Sequence, residues 1–492
     1  MFKQLELLFL KLGTIDISAL WFTQHLNLGG VVVMSLLLIL VGCSKLPRKP
    51  ESLFSLKVTV EHLSYKDAWK VTFQTSQPVP NLIFDRQANR FKVNTWKPLT
   101  SGIVVKEING KEQLVSLNSK PFQEASFEFA SYYEMTPKDY EFFQSFSDSS
   151  VVMYTGHLHA CPETEDCHEP VEFLFIPRSH EEGIVEGKVF RSSIMWRDKT
   201  RRGTYVYFGN LNPIETTSLT AIVDPALPKW LKDRFNSLLP NLFDYYAKKT
   251  GYALSFKPFV FLSYSSEGGG KNSSGGTLPG LIQLSLLGKS WAEEDEESFI
   301  DLTRFLAHET AHLWNGQLFQ YKSGDIWMHE GGADAFSYLA LYDLKYISKQ
   351  RLLDFQTEAF NACLSMLKNR PLMEVNEDPN RRAHYRCGAI FSLLTHAALV
   401  RKTGNDLFYF WNQLFKRVQK EGKLYTEDLY FTTLEEIIDN KQLSEKIKIL
   451  SHGPLLNAQE IFMSQFHEWG VVVKESTSRH ITITDMPLAR LN

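Results

Sequence analysis

The sequence has almost no net charge, few cysteines and no repeat. Across 492 residues, 53 basic side chains against 56 acidic ones leave a formal charge of -3. That balance excludes the strongly basic surface of a nucleic-acid binder and gives no pull toward an acidic membrane. No period of solenoid or propeller length appears along the chain. Apolar residues make up 43% and charged residues 22%, which excludes a disordered chain, and the length suggests roughly two to four domains. A glycine-rich stretch, 267–280, lacks the Gly-Lys-Ser/Thr of a phosphate-binding loop, and no helical pattern directly follows it. Glycines beside a strand edge allow a ligand backbone to come close; a flexible surface loop is the equal alternative.

Charge is also missing from one long segment. No Lys, Arg, Asp or Glu occurs between Asp16 and Lys45, and residues 31–41 are continuously apolar apart from Ser35. The run ends Leu40-Val41-Gly42-Cys43, followed by Ser44 and a basic, proline-containing stretch. This resembles a bacterial lipoprotein signal, with cleavage before Cys43 and lipid attached to it. The resemblance implies a signal over 1–42, a mature chain anchored to a membrane through the lipid on Cys43, and a location in the cell envelope with the folded part on the exported side. Ser44 resembles outer-membrane sorting. An uncleaved transmembrane helix over 17–41 is the alternative. Four further cysteines, Cys161, Cys167, Cys363 and Cys387, permit two disulfides in such a compartment. Cys161 and Cys167 bracket a turn-like insert that a bond would close. His157, His159 and His168 lie nearby, but their spacing matches no zinc-finger pattern.

Residues 43–213 read as many short strands, for example 53–60, 69–73, 171–176 and 203–208, separated by Pro, Gly, Asn and Ser. From about Ile214 the texture changes: a helical pattern closes at Gly251, two strands follow at 258–264 and 281–286, and helices then dominate. The second of those strands offers an edge to which a substrate backbone could add. The expected architecture is multidomain α+β. A β-rich N-terminal domain (43–213) precedes a mainly helical domain (214–440), with a C-terminal extension (441–492).

The chemistry concentrates in 305–336. His308, Glu309 and His312 form His-Glu-x-x-His inside an apolar helical pattern. A spacing of four puts both imidazoles on one helix face, where they can hold one zinc ion, with Glu309 beside them as a base toward water. A catalytic zinc takes three protein ligands and keeps an open position. The connection between His312 and Glu330 contains no other Glu, so Glu330 is the expected third ligand. Asp334, one turn further, is placed to accept the free N–H of a ligating histidine. Gly331, Gly332 and Ala333 would let this helix pack closely on the metal helix. The competing reading of His308 and His312 is a pair of hydrogen-bonded core histidines.

His308-Glu-Thr-Ala-His-Leu-Trp-Asn315 with Trp327-Met-His-Glu-Gly331 resembles the gluzincin metallopeptidases, in particular the aminopeptidase N, leukotriene hydrolase and glycyl aminopeptidase branch. Tyr385-Arg-Cys-Gly-Ala389 is similar to that branch's Tyr-x-Lys-Gly-Ala. The resemblance covers about 214–440 and implies a thermolysin-like zinc peptidase domain. It also implies one Zn2+, a peptide or protein substrate, and a Tyr385 hydroxyl that stabilises the oxyanion of a tetrahedral intermediate. Two departures stand out. The interval from His312 to Glu330 is one residue shorter than usual, and the Gly-x-Met-Glu-Asn motif, whose Glu grips a substrate amine, is absent. In its place the 267–280 stretch offers only Glu267, with Gly276 and Gly280 as further candidates for substrate contact. Zinc-dependent hydrolysis of aminopeptidase type is expected. An endopeptidase, a narrow-specificity peptidase or a non-catalytic zinc-containing surface protein are the alternatives.

Overall fold

Alternation builds the N-terminal half. In the strand Leu56–His62 every second side chain (Leu56, Val58, Val60, His62) is buried, while Lys57, Thr59 and Glu61 face outward. The computed structural model describes residues 54–489 apart from 65–67, 88–89, 132–138, 211–212, 376–381, 423, 455–456 and 476–479. The expected signal and Cys43 lie outside the described residues. Leu56–His62 sits inside a six-stranded sheet, antiparallel to Trp69–Val79 and parallel to Val171–Ile176. A four-stranded sheet and a five-stranded sheet complete the β-rich half. Their shared core is aromatic: Trp69, Phe73, Trp96, Phe127, Phe173 and Phe208 are all buried.

The second half opens on another five-stranded sheet, in the order Ile214–Glu215, Thr220–Val223, Phe259–Ser265, Leu281–Leu287, Asn272–Leu278. The amphipathic helix Lys229–Thr250 covers it with Leu231, Phe235, Leu238, Leu242 and Tyr246, and stops at Gly251 in the left-handed region (φ 75°). Two expectations change here. The glycine-rich stretch contains a strand, Asn272–Leu278, paired antiparallel along its whole length with Leu281–Leu287. Leu281–Leu287 is therefore interior, held on its other side by Phe259–Ser265, and the edge belongs to Asn272–Leu278. Period-two patterning tells which face a residue occupies and is silent on which strand is outermost.

The two halves meet through a small cluster of their own: Tyr154, Tyr205 and Tyr207 from the β-rich side against Ile222, Phe261, Leu278 and Leu281. Buried Asp224 adds a polar tie, accepting from Ser147 N (3.0 Å), Tyr264 N (3.1 Å) and Ala226 N (2.9 Å). Everything from Phe54 onward clusters as one compact unit. The segment expected as a C-terminal extension, 441–492, is no appendage among its described residues. Leu443, Ile447, Leu450, Phe462, Phe466, Ile481 and Ile483 fill the same core as the metal helix. The hairpin Val472–Glu475/Ile481–Asp485 is bonded to helix Lys349–Leu367 through Asn361 and Thr357. Among the described residues no helix is long and apolar enough to cross a membrane. Cys161 is bonded to Cys167 and Cys363 to Cys387.

Candidate metal centre and substrate cleft

Helix Glu296–His312 carries the motif. It begins after Asp295 with Glu296 and Glu297 in its first turn, where carboxylates suit the helix dipole. It buries Phe299, Leu302, Leu306, Ala307 and Ala311 and passes into a π-helical turn, Leu313–Leu318. A second π-helical turn, Trp327–Gly331, precedes helix Gly332–Asp343 and carries Glu330. Such turns recur at functional sites.

Three atoms converge. His308 Nε2 lies 3.1 Å from His312 Nε2, and the two nitrogens lie 3.3 and 3.2 Å from Glu330 Oε2. Zinc bonded tetrahedrally at about 2.0–2.1 Å spaces its ligand atoms by about 3.3 Å. The other ring nitrogens show why the site fits a cation. His308 Nδ1 donates to Asp334 Oδ1 (2.9 Å) and His312 Nδ1 to Asn315 Oδ1 (3.1 Å), the latter fixed by Asn315 Nδ2 donating to His329 O (2.8 Å). Both Nε2 atoms of the neutral rings therefore point bare lone pairs at each other, and buried Glu330 Oε2 has no hydrogen-bond donor. Only a positive charge at the centre reconciles them.

Electrostatics agree. Burial depresses the His308 pKa, but the carboxylates of Asp334 (2.9 Å) and Glu330 (3.3 Å) beside its ring nitrogens outweigh it and raise it to about 10. Burial pushes the Glu330 carboxyl up, yet His312 and His308 hold it well below the usual carboxylate range. The pocket is built to retain a cation, with a proton as the smallest occupant.

The Tyr385 helix, Arg382–Thr403, crosses the Glu330 segment at backbone contact. A Cβ on Gly331 would lie 2.3 Å from Gly388 Cα, and one on Gly388 would lie 2.3 Å from Trp327 O. Gly331 thus serves this crossing and not the metal helix; Gly332 packs under Trp411 and Asn315. The approach lays the Tyr385 ring against His308 (5.6 Å, 12° between planes). Burial first, and then the charges of Glu330 and Glu309, push the Tyr385 hydroxyl far above its ordinary pKa, so it stays a donor. Glu309, His312, Glu330, Tyr385, Gly276 and Thr277 share one cleft of about 900 Å³.

Comparison of the sequence with family models and with curated proteins finds no match. Comparison of the structure does. An aminopeptidase N family protein from Idiomarina loihiensis superposes with a TM-score of 0.61 at 12% identity, covering 86% of this chain and 79% of that one. Yeast LTA4 hydrolase superposes with a TM-score of 0.50 at 14% identity, covering 85% of this chain and 72% of that one. The chain shares the aminopeptidase N fold.

Within that fold the expected substrate contacts rearrange. Glu267 is exposed and does not line the cleft. It sits beyond Ser265, at the end of the hairpin where Asn272 pairs with Leu287, five residues and roughly 17 Å along the strand from Thr277. Gly280 lies in the hairpin turn at φ 75°, its N–H donating to Gln317 Oε1 (2.8 Å). Gly276 does line the cleft, but the room it leaves is used by the protein: a Cβ there would lie 3.0 Å from the Tyr140 ring.

The residues that sequence reading passed over come from the β-rich half. Glu141 lines the cleft from a buried position, its carboxylate accepting from Ser274 Oγ (3.0 Å) and Gln144 Nε2 (2.7 Å). Tyr140 donates to Thr277 O (2.9 Å). Exposed Arg202 stands on the same cleft. No local pattern marks these three. Asn315, three residues after His312 on one helix face, is the contact a spacing argument could have found. His329, next to Glu330, packs between Tyr321 (4.2 Å) and His312 (4.1 Å), and burial lowers its pKa to about 3.

Proposed function

We propose that this protein is a zinc-dependent peptidase of aminopeptidase type. The observation that carries the reading is the convergence of His308 Nε2, His312 Nε2 and Glu330 Oε2 on one point, in a cleft that also holds Glu309 and Tyr385. Bound zinc would polarise a carbonyl and acidify water. Glu309 takes a proton from the attacking water and returns it to the leaving amine. Tyr385 donates a hydrogen bond to the oxygen that becomes negative as the carbonyl carbon turns tetrahedral. Asp334 and Asn315 keep both histidines in the tautomer that presents Nε2.

For the substrate's amino end the reading rests on Glu141. A buried carboxylate facing the cleft is the natural partner for an ammonium group, and it stands in for the absent motif glutamate. The edge strand Asn272–Leu278, which lines the cleft from Ser274 to Leu278, supplies backbone groups for an extended peptide. An endopeptidase is the second reading, favoured by that missing motif and by a strand edge that accepts a chain of any length. Peptides with free and with blocked amino ends separate the two: an aminopeptidase rejects the blocked form. For hydrolysis itself, Glu309→Gln is expected to keep stoichiometric zinc and lose about a thousandfold in kcat. Undiminished turnover in that variant would refute the mechanism.

The reading extends to location. A lipid on Cys43 would anchor the enzyme in a bacterial envelope with the cleft on the exported side, and two disulfides suit an oxidising compartment. Replacing Cys43 with Ala should move the protein from the membrane fraction to the soluble one.

A further inference from the structure

Thr277 occupies the edge strand where pleating sends neighbours to opposite sides. Leu278 goes into the cluster between the two halves, and Thr277 turns toward the metal helix. Its hydroxyl lies 2.7 Å from Glu309 O and 2.8 Å from Glu309 Oε2. Both neighbours are acceptors, and a hydroxyl has one proton to give. Its backbone is fixed as well: Thr277 pairs with Ile282, and its carbonyl accepts from half-buried Tyr140, a residue of the β-rich half.

We infer that Thr277 is the positioning residue of Glu309, its hydroxyl held between that residue's carboxylate and its carbonyl so that the carboxylate keeps one orientation. While Glu309 is ionised, the bond to Oε2 is charge-assisted and holds the carboxylate in one orientation, leaving Oε1 for the water. Thr277 keeps its own proton throughout; the one transferred moves only from water to Glu309 to the leaving amine. Because Tyr140 pins the same residue, the β-rich half contributes to the placement of the base as well as to the cleft wall.

The inference rests on the peptidase reading, and its test keeps the two apart. Thr277→Val preserves shape and strand preference but removes the donor; Thr277→Ser keeps the donor. Expected is a kcat about ten- to a hundredfold lower in T277V, with KM and zinc stoichiometry unchanged, and T277S close to the parent. Parental kcat in T277V overturns the inference, as does a rise in KM alone or a T277S as impaired as T277V. If the parent protein cleaves no peptide, the peptidase reading falls, and zinc-loaded crystals decide about Thr277. Glu309 should be ordered in one rotamer in the parent and T277S and displaced in T277V; an unmoved Glu309 overturns it.

Discussion

Each half of this molecule buries a histidine against an aspartate, and the two pairs end differently. In the β-rich half His159 Nε2 meets Asp198 Oδ2 at 3.2 Å, and the carboxylate also accepts from Gly203 N and Thr200 N. In the helical half His308 Nδ1 meets Asp334 Oδ1 at 2.9 Å, and the opposite ring nitrogen faces His312 and Glu330. The first pair is closed in one sense: among the described residues no further ligating side chain joins it, although His159 Nδ1 lies buried without a hydrogen-bond partner; His62 with Glu181 and Lys92 with Glu112 nearby are likewise isolated pairs. The second remains open at one point in space. Burial of charge is therefore no mark of a site; what marks it is a set of buried lone pairs aimed at a common centre, with every outward-facing atom already engaged.

The largest expected effect breaks a closed pair. Lys92 is fully buried, with Nζ 3.1 Å from Arg86 O and 3.3 Å from Glu112 Oε2. Burial depresses its pKa against the pull of Glu112. Lys92→Met takes the ammonium from a buried carboxylate and should lower the unfolding free energy by about 3–5 kcal/mol in denaturant titrations, with zinc stoichiometry intact. Zinc loss in the folded variant would erase the distinction between the halves. Next, Asp334→Asn should weaken zinc binding about 10- to 100-fold by chelator competition. An unchanged affinity would return Asp334 to the closed class. The smallest effect concerns Asp198. Burial raises its carboxyl pKa, but donation from His159 and from the Gly203 and Thr200 N–H groups outweighs this and brings it to about 2, against 3.8 in an ordinary carboxyl. A depressed folded-state value gives stability that is complete above the unfolded value and lost as pH falls through about 2. Asp198→Asn should remove that part of the acid slope between about pH 4 and pH 2, read as the denaturant midpoint against pH, and leave zinc affinity alone.

What could be read from the sequence was local. His308, Glu309 and His312 lie on one helix and Glu330 and Asp334 on the helical turns that follow, so spacing predicts which face each occupies within its own segment. Tyr385 entered through a resemblance, and the Gly388 that seats it beside His308 makes sense only once its contact with Gly331 is visible. Strand existence was legible at 258–264 and 281–286, while sheet order was not, so the edge was assigned to the wrong strand. Glu267 was chosen as the nearest carboxylate in sequence. Glu141, which lines the cleft, precedes its partner Ser274 by 133 residues. Pairings at that distance are set by how two folded halves dock, and no periodicity in either half encodes them.

The edge of Asn272–Leu278 has one more consequence, for solubility. A strand that leaves one row of N–H and C=O groups unpaired is a template for any other extended chain, including another copy of itself. Here the β-rich half overhangs it: Tyr140 bonds to Thr277 and Glu141 to Ser274, while Leu278 and Phe261 lie under Tyr207 and its neighbours. A helical half expressed alone from about Ile214 would bare both the strand and the apolar cluster beneath it, and size-exclusion chromatography should find it self-associated. The N-terminal sheets thus guard the helical half against aggregation.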